Sequence, residues 1–337
     1  MDQRQKFWVG VVLPFARDLA QQVAEGLRRV LGQDAVTGLT ACGDIKTRAD
    51  AEAERVVEVW MQSCPFPAAV LIEGTAEVKL YCEPGIQPAV IFVIDELDGS
   101  RVFLRQGRYW SICVGAGPYS ESPKLGDLQV GVIRNLNGEG EELAACRGCG
   151  VTFNGESLAP PVMRPGDPWN FDVEISGGLF PIWGAYLAPF EGLCRNGVQV
   201  VQSSGWSART IALGLLTFFV HLPSRIKRKW PELVAEMQEQ HGGATGAYPW
   251  DLCAAYVILT ELGCVVMRSD GRSMENVDIT NPIAHDVLFA QNREVAEWVV
   301  ARLNEVEERL VLNYSRTLAF VSMVLGRPPR GQTTQLS

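Results

Sequence analysis

Apolar residues recur along the chain with two periods. Within residues 18–30 they fall at Leu19, Val23, Leu27 and Val30, the three-to-four spacing of one helix face. Residues 50–61 repeat the pattern, with Val56, Val57 and Trp60 on one side. Residues 251–262 predict a third helix that Gly263 terminates, and residues 287–306 a last amphipathic one. Residues 207–220 read as a buried helix and 231–240 as a short one. Shorter apolar runs predict strands at 68–72, 89–94, 109–115, 127–134, 143–146 and 198–202. The first ends in Glu73 and the second in Asp95. These elements alternate without a regular βαβ rhythm and without an internal repeat, which favours a layered α/β fold over a barrel. The proline-rich stretch 160–168 is the expected boundary between an N-terminal half, 1–160, and a C-terminal half, 161–310. A tail, 311–337, follows; its apolar residues, among them Leu318, Phe320 and Val321, are expected to cover a core edge or a subunit interface.

Composition narrows the partners. The 337 residues are 47% hydrophobic and 20% charged, a globular mixture that excludes collagen-like, coiled-coil and disordered chains. The net charge of −9 repels nucleic-acid polymers and anionic membrane surfaces, yet permits a small phosphorylated ligand where cations or oriented amides receive it. No apolar run reaches membrane-spanning length: residues 211–220 are too few, and 310–325 contain Asn313 and Arg316. Residues 7–16 are broken by Gly10 and Pro14 and make no signal peptide, so a cytoplasmic location is expected. Nine cysteines, several in apolar surroundings, fit reduced thiols better than a disulfide framework. Cys146 and Cys149 form one CxxC pair, with no second pair or histidine pair at zinc-finger spacing.

Chemistry concentrates at residues 93–100, where a buried strand runs into Asp95, Glu96 and Asp98, then Gly99 and Ser100. Crowded carboxylates repel one another unless something positive sits among them. Asp95, Asp98 and the Leu97 carbonyl can offer a hard cation such as Mg²⁺ three oxygens on one side of a tight turn, and the amides of Gly99 and Ser100 can receive an anion. The alternative is an acidic turn that merely caps a strand. Glu73 stands at the end of a neighbouring strand, where α/β sheets gather ligands. Asp251, after Trp250, could equally be a helix cap, and so could Asp44, Thr47 and Asp50 ahead of the next helix.

Together these pieces resemble the inositol monophosphatase family, the Mg²⁺-dependent, lithium-sensitive sugar phosphatases that include fructose-1,6-bisphosphatases and 3′-nucleotidases. The family's Asp-x-x-Thr-x-x-Asp stands at residues 44–50, its Gly-Glu-Glu in reduced form at 72–74, its Asp-Pro-x-Asp-Gly-Thr/Ser at 95–100 and its Trp-Asp-x-Ala-Ala at 250–254. A Gly-x-x-x-Asn-Gly turn at 150–155 adds to them, and the similarity covers residues 10–305 in family order. The resemblance implies a five-layer αβαβα sandwich of the sugar phosphatase type, assembled as a homodimer. It also implies that Glu73, Asp95 and the Leu97 carbonyl hold one metal ion, that Asp95, Asp98 and Asp251 hold a second, and that a weaker third sits near Glu73. Mg²⁺ is the implied cofactor, with Ca²⁺ or Mn²⁺ able to substitute. Ser100 paired with Asp50 would activate water, with Glu73 as a further catalytic residue. Asp98, Gly99, Ser100 and Asp251 would contact the substrate. None of His221, His241 and His285 lies in a motif, which suits metal-driven chemistry.

Three departures bear on specificity. Glu96 replaces the family's proline and would either bind cation more tightly or face solvent. Gly74 replaces the second glutamate. Ala244 occupies the place of the family's inositol-contacting glutamate, so inositol 1-phosphate is expected to be a mediocre substrate, with residues 221–249 setting specificity. The basic run Arg225, Lys227, Arg228 and Lys229 is either a solvated cluster or the receptor of a second phosphate. The expected activity is Mg²⁺-dependent hydrolysis of a small polyol or sugar phosphate. The alternatives are 3′-phosphoadenosine phosphatase or fructose-1,6-bisphosphatase activity, or a catalytically quiet ligand-binding member.

Overall fold

The computed structural model describes all residues except 33–35, 40–44, 74, 76, 105–108, 136–139, 164–168, 175–179, 194–197, 232–245 and 313–337. Asp44, Gly74, Ala244, His241, the expected helix at 231–240 and most of the C-terminal tail therefore lie outside the described residues.

The strands are β1 (Val36–Leu39), β2 (Ile45–Thr47), β3 (Ala68–Ile72), β4 (Val78–Tyr81), β5 (Val90–Asp98), β6 (Ser111–Pro118), β7 (Val130–Asn135), β8 (Glu142–Cys146), β9 (Gly150–Phe153), β10 (Glu156–Leu158), β11 (Phe171–Glu174), β12 (Val198–Gln199), β13 (Phe218–His221), β14 (Val265–Met267) and β15 (Val287–Ala290). The helices are α1 (Gln3–Phe7), α2 (Leu13–Val30), α3 (Arg48–Met61), α4 (Ser100–Leu104), α5 (Phe180–Leu187), α6 (Ser204–Ala212), α7 (Pro223–Lys229), α8 (Pro249–Glu261) and α9 (Arg293–Leu312). Eight strands form one sheet in the order β10-β9-β8-β7-β6-β5-β3-β4, and five form a second in the order β12-β11-β13-β15-β14. In the large sheet β3 and β5 run parallel while the other pairs are antiparallel.

Alternation along β5 shows how the layers stack. Ile91 and Val93 enter a core shared with α6, α8 and the small sheet. Val90, Phe92 and Ile94 enter a second core against α2 and α3. A strand buried on both faces reads as a continuous apolar run, and this one does. A third core lies between the far face of the small sheet and α5, α7 and α9. Helices, sheet, helices, sheet and helices make five layers, αβαβα. Glycines let the middle layer settle close: a Cβ on Gly115 would stand 2.6 Å from the Cys253 Cβ, and one on Gly131 would stand 2.8 Å from the Ala254 carbonyl. Both contacts are with α8, whose first turn carries Asp251.

Four elements differ from the sequence expectation. The first long helix starts well before residue 18: α1 runs through a π-helical turn at Trp8–Val12 into α2, and the Leu13 amide, just ahead of Pro14, donates to the Trp8 carbonyl five residues back. Residues 207–220 split into α6 and β13; Gly214, at φ +74°, breaks the helix and an aromatic run begins the strand. Residues 287–306 split likewise into β15 and α9, with Asn292 accepting the Val295 amide at 2.9 Å as a cap. The strand expected over 198–202 stops at Gln199; Gln202 turns to φ +62° and Ser203 caps α6.

The basic run divides: Arg225 is buried, while Arg228 and Lys229 stay exposed to solvent and are each paired with an acid. Arg225 is 2% exposed, and its Nε donates to Glu307 Oε1 at 2.7 Å. Arg228 pairs with Asp286 at 2.7 Å, and Lys229 with Glu307 at 3.5 Å. These pairs dock α7 against α9 and the loop before β15. Among the described residues, no helix is long and apolar enough to cross a membrane.

Candidate active site

The parallel register of β3 and β5 sets Ile72 beside Ile94, so the residues that follow, Glu73 and Asp95, come side by side, Asp95 still paired with Cys113 of β6. The Glu73 amide donates to the Ile94 carbonyl at 3.1 Å and extends the ladder by one step. The β5–β6 pairing is interrupted between Asp95 and Asp98. That bulge fits one extra residue in, Glu96 and Leu97 standing opposite Ile112 alone, and re-aims the side chains around it.

Asp95 is 1% exposed. Its Oδ1 accepts the Leu97 amide at 3.0 Å, which folds the turn back on the strand. Burial, and then the charges of Glu73, Asp98, Asp251 and Glu96, push its carboxyl well above the ordinary range. Each of those charged neighbours is an acid. A carboxylate taken out of water among like charges is costly unless a cation joins it, and an all-oxygen donor set suits a hard divalent ion. The side chains therefore fit the metal that the resemblance implies. That fit is one of donor chemistry: among the described residues no three His, Cys, Asp or Glu side chains are grouped so as to hold a metal ion. Asp98 and Asp251 instead direct oxygens at backbone amides.

Asp98 is the more heavily bonded of these acids. Its Oδ2 accepts from Ser203 Oγ at 2.6 Å, Gly205 N at 2.7 Å and Ser111 Oγ at 2.8 Å. Its Oδ1 accepts from Ser204 N at 3.1 Å and Ser204 Oγ at 3.4 Å. Two of these donors are first-turn amides of α6, so the carboxylate also meets the positive end of that helix. Asp251 Oδ2 accepts the Tyr248 amide at 2.7 Å, and the Asp251 carbonyl accepts Ser204 Oγ at 2.8 Å. Ser204 thus ties α6, α8 and the Asp98 turn together. Ser111, Ser203, Ser204 and Gly205 escaped the sequence reading; the signal was Ser-Ser-Gly ahead of a helix, the pattern of an N-cap.

On the other side of β5, capping and function coincide. Thr47 caps α3; its amide donates to Asp50 Oδ2 at 2.5 Å, and its hydroxyl accepts the Asp50 amide at 3.2 Å. This capping box fixes the Asp50 carboxylate and leaves Oδ1 facing Ser100 Oγ, 3.5 Å away. Ser100 Oγ lies nearer to the Leu97 carbonyl, at 3.0 Å. Gly99 holds the turn at φ +92°, and a Cβ there would stand 3.2 Å from the Tyr109 carbonyl and 3.3 Å from the Ser203 Cβ. Only glycine suits both the angle and the space.

Glu96 does not face solvent. It is 2% exposed, and its Oε2 has no hydrogen-bond partner. Burial, followed by the Asp50 charge, raises its carboxyl well above the usual range. Glu54 raises it further and Lys46 opposes them, so Glu96 looks toward α3 while Asp95 looks toward α8.

A family model described as the inositol monophosphatase family matches residues 8–308. A protein of Methanothermobacter thermautotrophicus named fructose-1,6-bisphosphatase/inositol-1-monophosphatase is 23% identical over 308 residues, 89% of this chain and 98% of that one. A protein of the same name from Thermotoga maritima is 25% identical over 296 residues, 85% of this chain and 97% of its own. Among solved structures, the extragenic suppressor protein suhB of Bartonella henselae superposes with a TM-score of 0.66 at 18% identity. That match covers 87% of this chain and 98% of the other.

Proposed function

Because the chain belongs to the inositol monophosphatase family and is a phosphoric monoester hydrolase, we propose that it hydrolyses a small polyol or sugar phosphate with Mg²⁺ as cofactor. The observation that carries this reading is Asp95: a buried carboxylate at a strand end whose charged neighbours are Glu73, Asp98, Asp251 and Glu96. Divalent ions bound there would neutralise phosphate charge, acidify water and stabilise the leaving alkoxide.

The chain's own residues supply the rest. Glu73, Asp95 and the Leu97 carbonyl would hold one ion, and Asp95, Asp98 and Asp251 a second. Asp98 would share oxygens already bonded to α6, so it positions the turn as well as binding. The amides of Gly99 and Ser100 would orient the phosphate. Ser100 Oγ, with Asp50 Oδ1 as its acceptor, would orient a water and take its proton, with Asp50 kept in place by the capping box. A separation of 3.5 Å is long for a resting hydrogen bond, and such contacts tighten when substrate arrives. The ion pairs of Arg225 and Arg228 argue against a second phosphate at the basic run, and so favour a monophosphate over a bisphosphate.

Release of p-nitrophenol from p-nitrophenyl phosphate, titrated with Mg²⁺, tests the reaction class; a panel of polyol, sugar and nucleotide phosphates then ranks substrates. Turnover that survives exhaustive chelation, or none across the panel at saturating Mg²⁺, would sink the proposal. A catalytically quiet member would give the second result.

A further inference from the structure

Far from the acids, β8 and β9 are joined by a tight turn that carries the CxxC pair. Cys146 pairs with Gly150 across the hairpin, and the Cys149 amide donates to the Cys146 carbonyl at 2.9 Å. That bond defines a β-turn, which keeps its first and fourth Cα atoms within about 7 Å. A disulfide needs Cα atoms about 4.4–6.8 Å apart, a span that lies within this limit. Gly148 and Gly150, at φ +72° and +84°, let the chain turn this sharply. The Cys149 thiol stands near enough to Cys146 to raise its thiol.

The pair is asymmetric. Cys149 is exposed and Cys146 is buried. The Gln5 side-chain amide of α1 donates to Cys149 Sγ at 3.1 Å and to the Gly148 carbonyl at 3.2 Å. Glu261, at the C-terminal end of α8, accepts the Gly150 amide at 2.8 Å and the Gly148 amide at 3.0 Å. Burial, then the neighbouring Cys149 thiol, pushes the Cys146 thiol up to about 12, so it rests protonated and shielded. One sulfur is reachable from solvent, a second waits against it, and both sit on a turn held from two sides.

We propose that Cys146 and Cys149 form a dithiol–disulfide exchange site whose co-substrate is a low-molecular-weight disulfide of the glutathione type. Cys149, as thiolate, attacks one sulfur of the small disulfide. The S–S bond of that molecule breaks, and one thiol leaves. Cys146 then gives up its proton and attacks the Cys149 sulfur; the mixed disulfide breaks and the second thiol leaves. Two protein thiols are oxidised, one small disulfide is reduced to two thiols, and the protein keeps an intramolecular bond. Proximity makes the second step intramolecular and fast relative to escape of the mixed disulfide.

The test uses the full chain, reduced, desalted and incubated with glutathione disulfide. Free thiols are then trapped by alkylation in acid and located by peptide mass spectrometry. Cys149 should lose its thiol at least about tenfold faster than half-buried Cys64 and Cys82. Cys146 should be lost with it, in one species lighter by two hydrogens. Because two small thiols are released, the ratio of oxidised to reduced protein should follow the disulfide concentration divided by the square of the glutathione concentration. In Cys149→Ser, an exposed and conservative change, Cys146 should remain alkylatable. A lasting mixed disulfide on Cys149, a first-power dependence on glutathione, or equal loss of Cys146 in Cys149→Ser would each overturn the proposal. So would an equivalent of zinc retained by the wild type and lost in that variant.

Discussion

Two groups of buried acids sit at opposite ends of the same physics. Asp95, 1% exposed, has acids for its charged neighbours, and its carboxyl is raised. Asp286, 0% exposed, and Glu307, 5% exposed, lie in the third and outer core. Burial alone would raise these two as well, but hydrogen bonds and charges from Arg228 and Arg225 overcome it and hold both below the ordinary range. Depth of burial therefore does not separate a reactive acid from a structural one; compensation within the chain does. Where the protein neutralises its own carboxylates, they fasten one helix to another. Where it leaves them among like charges, it keeps a place for a cation.

The largest expected effect breaks the compensated group. Glu307→Gln leaves the Arg225 guanidinium buried beside neutral partners, and removing one member of such a pair costs about 3–5 kcal/mol. The unfolding free energy from denaturant titration should fall by that amount, while kcat per folded molecule stays at the wild-type value. Lost turnover at unchanged stability would make Glu307 part of the active site and undo the contrast. Asp95→Asn should do the reverse. Removing an electrostatic contributor of this kind costs about 100- to 1,000-fold in kcat. The metal-free protein, relieved of a buried charge among acids, should unfold no more easily than wild type. Wild-type turnover in this variant would remove Asp95 from the proposed chemistry.

Asp98→Asn falls between these extremes, because Asp98 belongs to both worlds. The amide would point an NH₂ at donors such as Gly205 N or Ser204 N, leaving at least one of them without an acceptor. An unmet buried donor costs about 1–3 kcal/mol, so this substitution should lower stability as well as activity. Thermal unfolding in the presence of chelator separates the two, since metal binding then plays no part. An unchanged midpoint would mean that α6 does not depend on this carboxylate.

What the sequence made legible was local. Asp95, Leu97, Asp98, Gly99 and Ser100 are consecutive or nearly so, and a strand that ends in acids and glycine announces itself. Asp50 reads both as a cap and as a partner of Ser100, and the structure lets one oxygen serve each role. The unread part depends on separation along the chain. Ser203 reaches Asp98 across 105 residues, and Arg225 reaches Glu307 across 82. Arg225, first of a run of four basic residues, looks like surface until Glu307 is brought beside it. Residues 207–220 and 287–306 were misread because a short apolar run does not reveal its own period; Gly214 and Asn292 held the decisive information.

The smallest expected effect appears in acid. Asp286 and Glu307 bind their protons less readily in the folded chain than in the unfolded one, where values of about 3.9 and 4.3 apply. Between the folded and unfolded values the unfolded state holds more protons, so stability must fall as pH falls. The contribution is fully present above the unfolded values and is lost as pH drops through them toward the folded ones. Each such group can add a slope of at most about 1.4 kcal/mol per pH unit over that interval. Asp95 and Glu96, raised in the folded chain, act in the opposite direction. The informative quantity is therefore the difference in unfolding free energy between wild type and Asp286→Asn, which carry both alike. Followed from pH 6 downward with chelator present, that difference should stay level and then shrink below about pH 5. Asp286→Asn removes one of the two groups, so its curve should start lower and decline less steeply. The Arg228 and Arg268 partners stay charged throughout and cannot produce the same change. An acid limb as steep in Asp286→Asn as in the wild type would show that this carboxylate titrates alike in both states. The contrast with Asp95 would then rest on Glu307 alone.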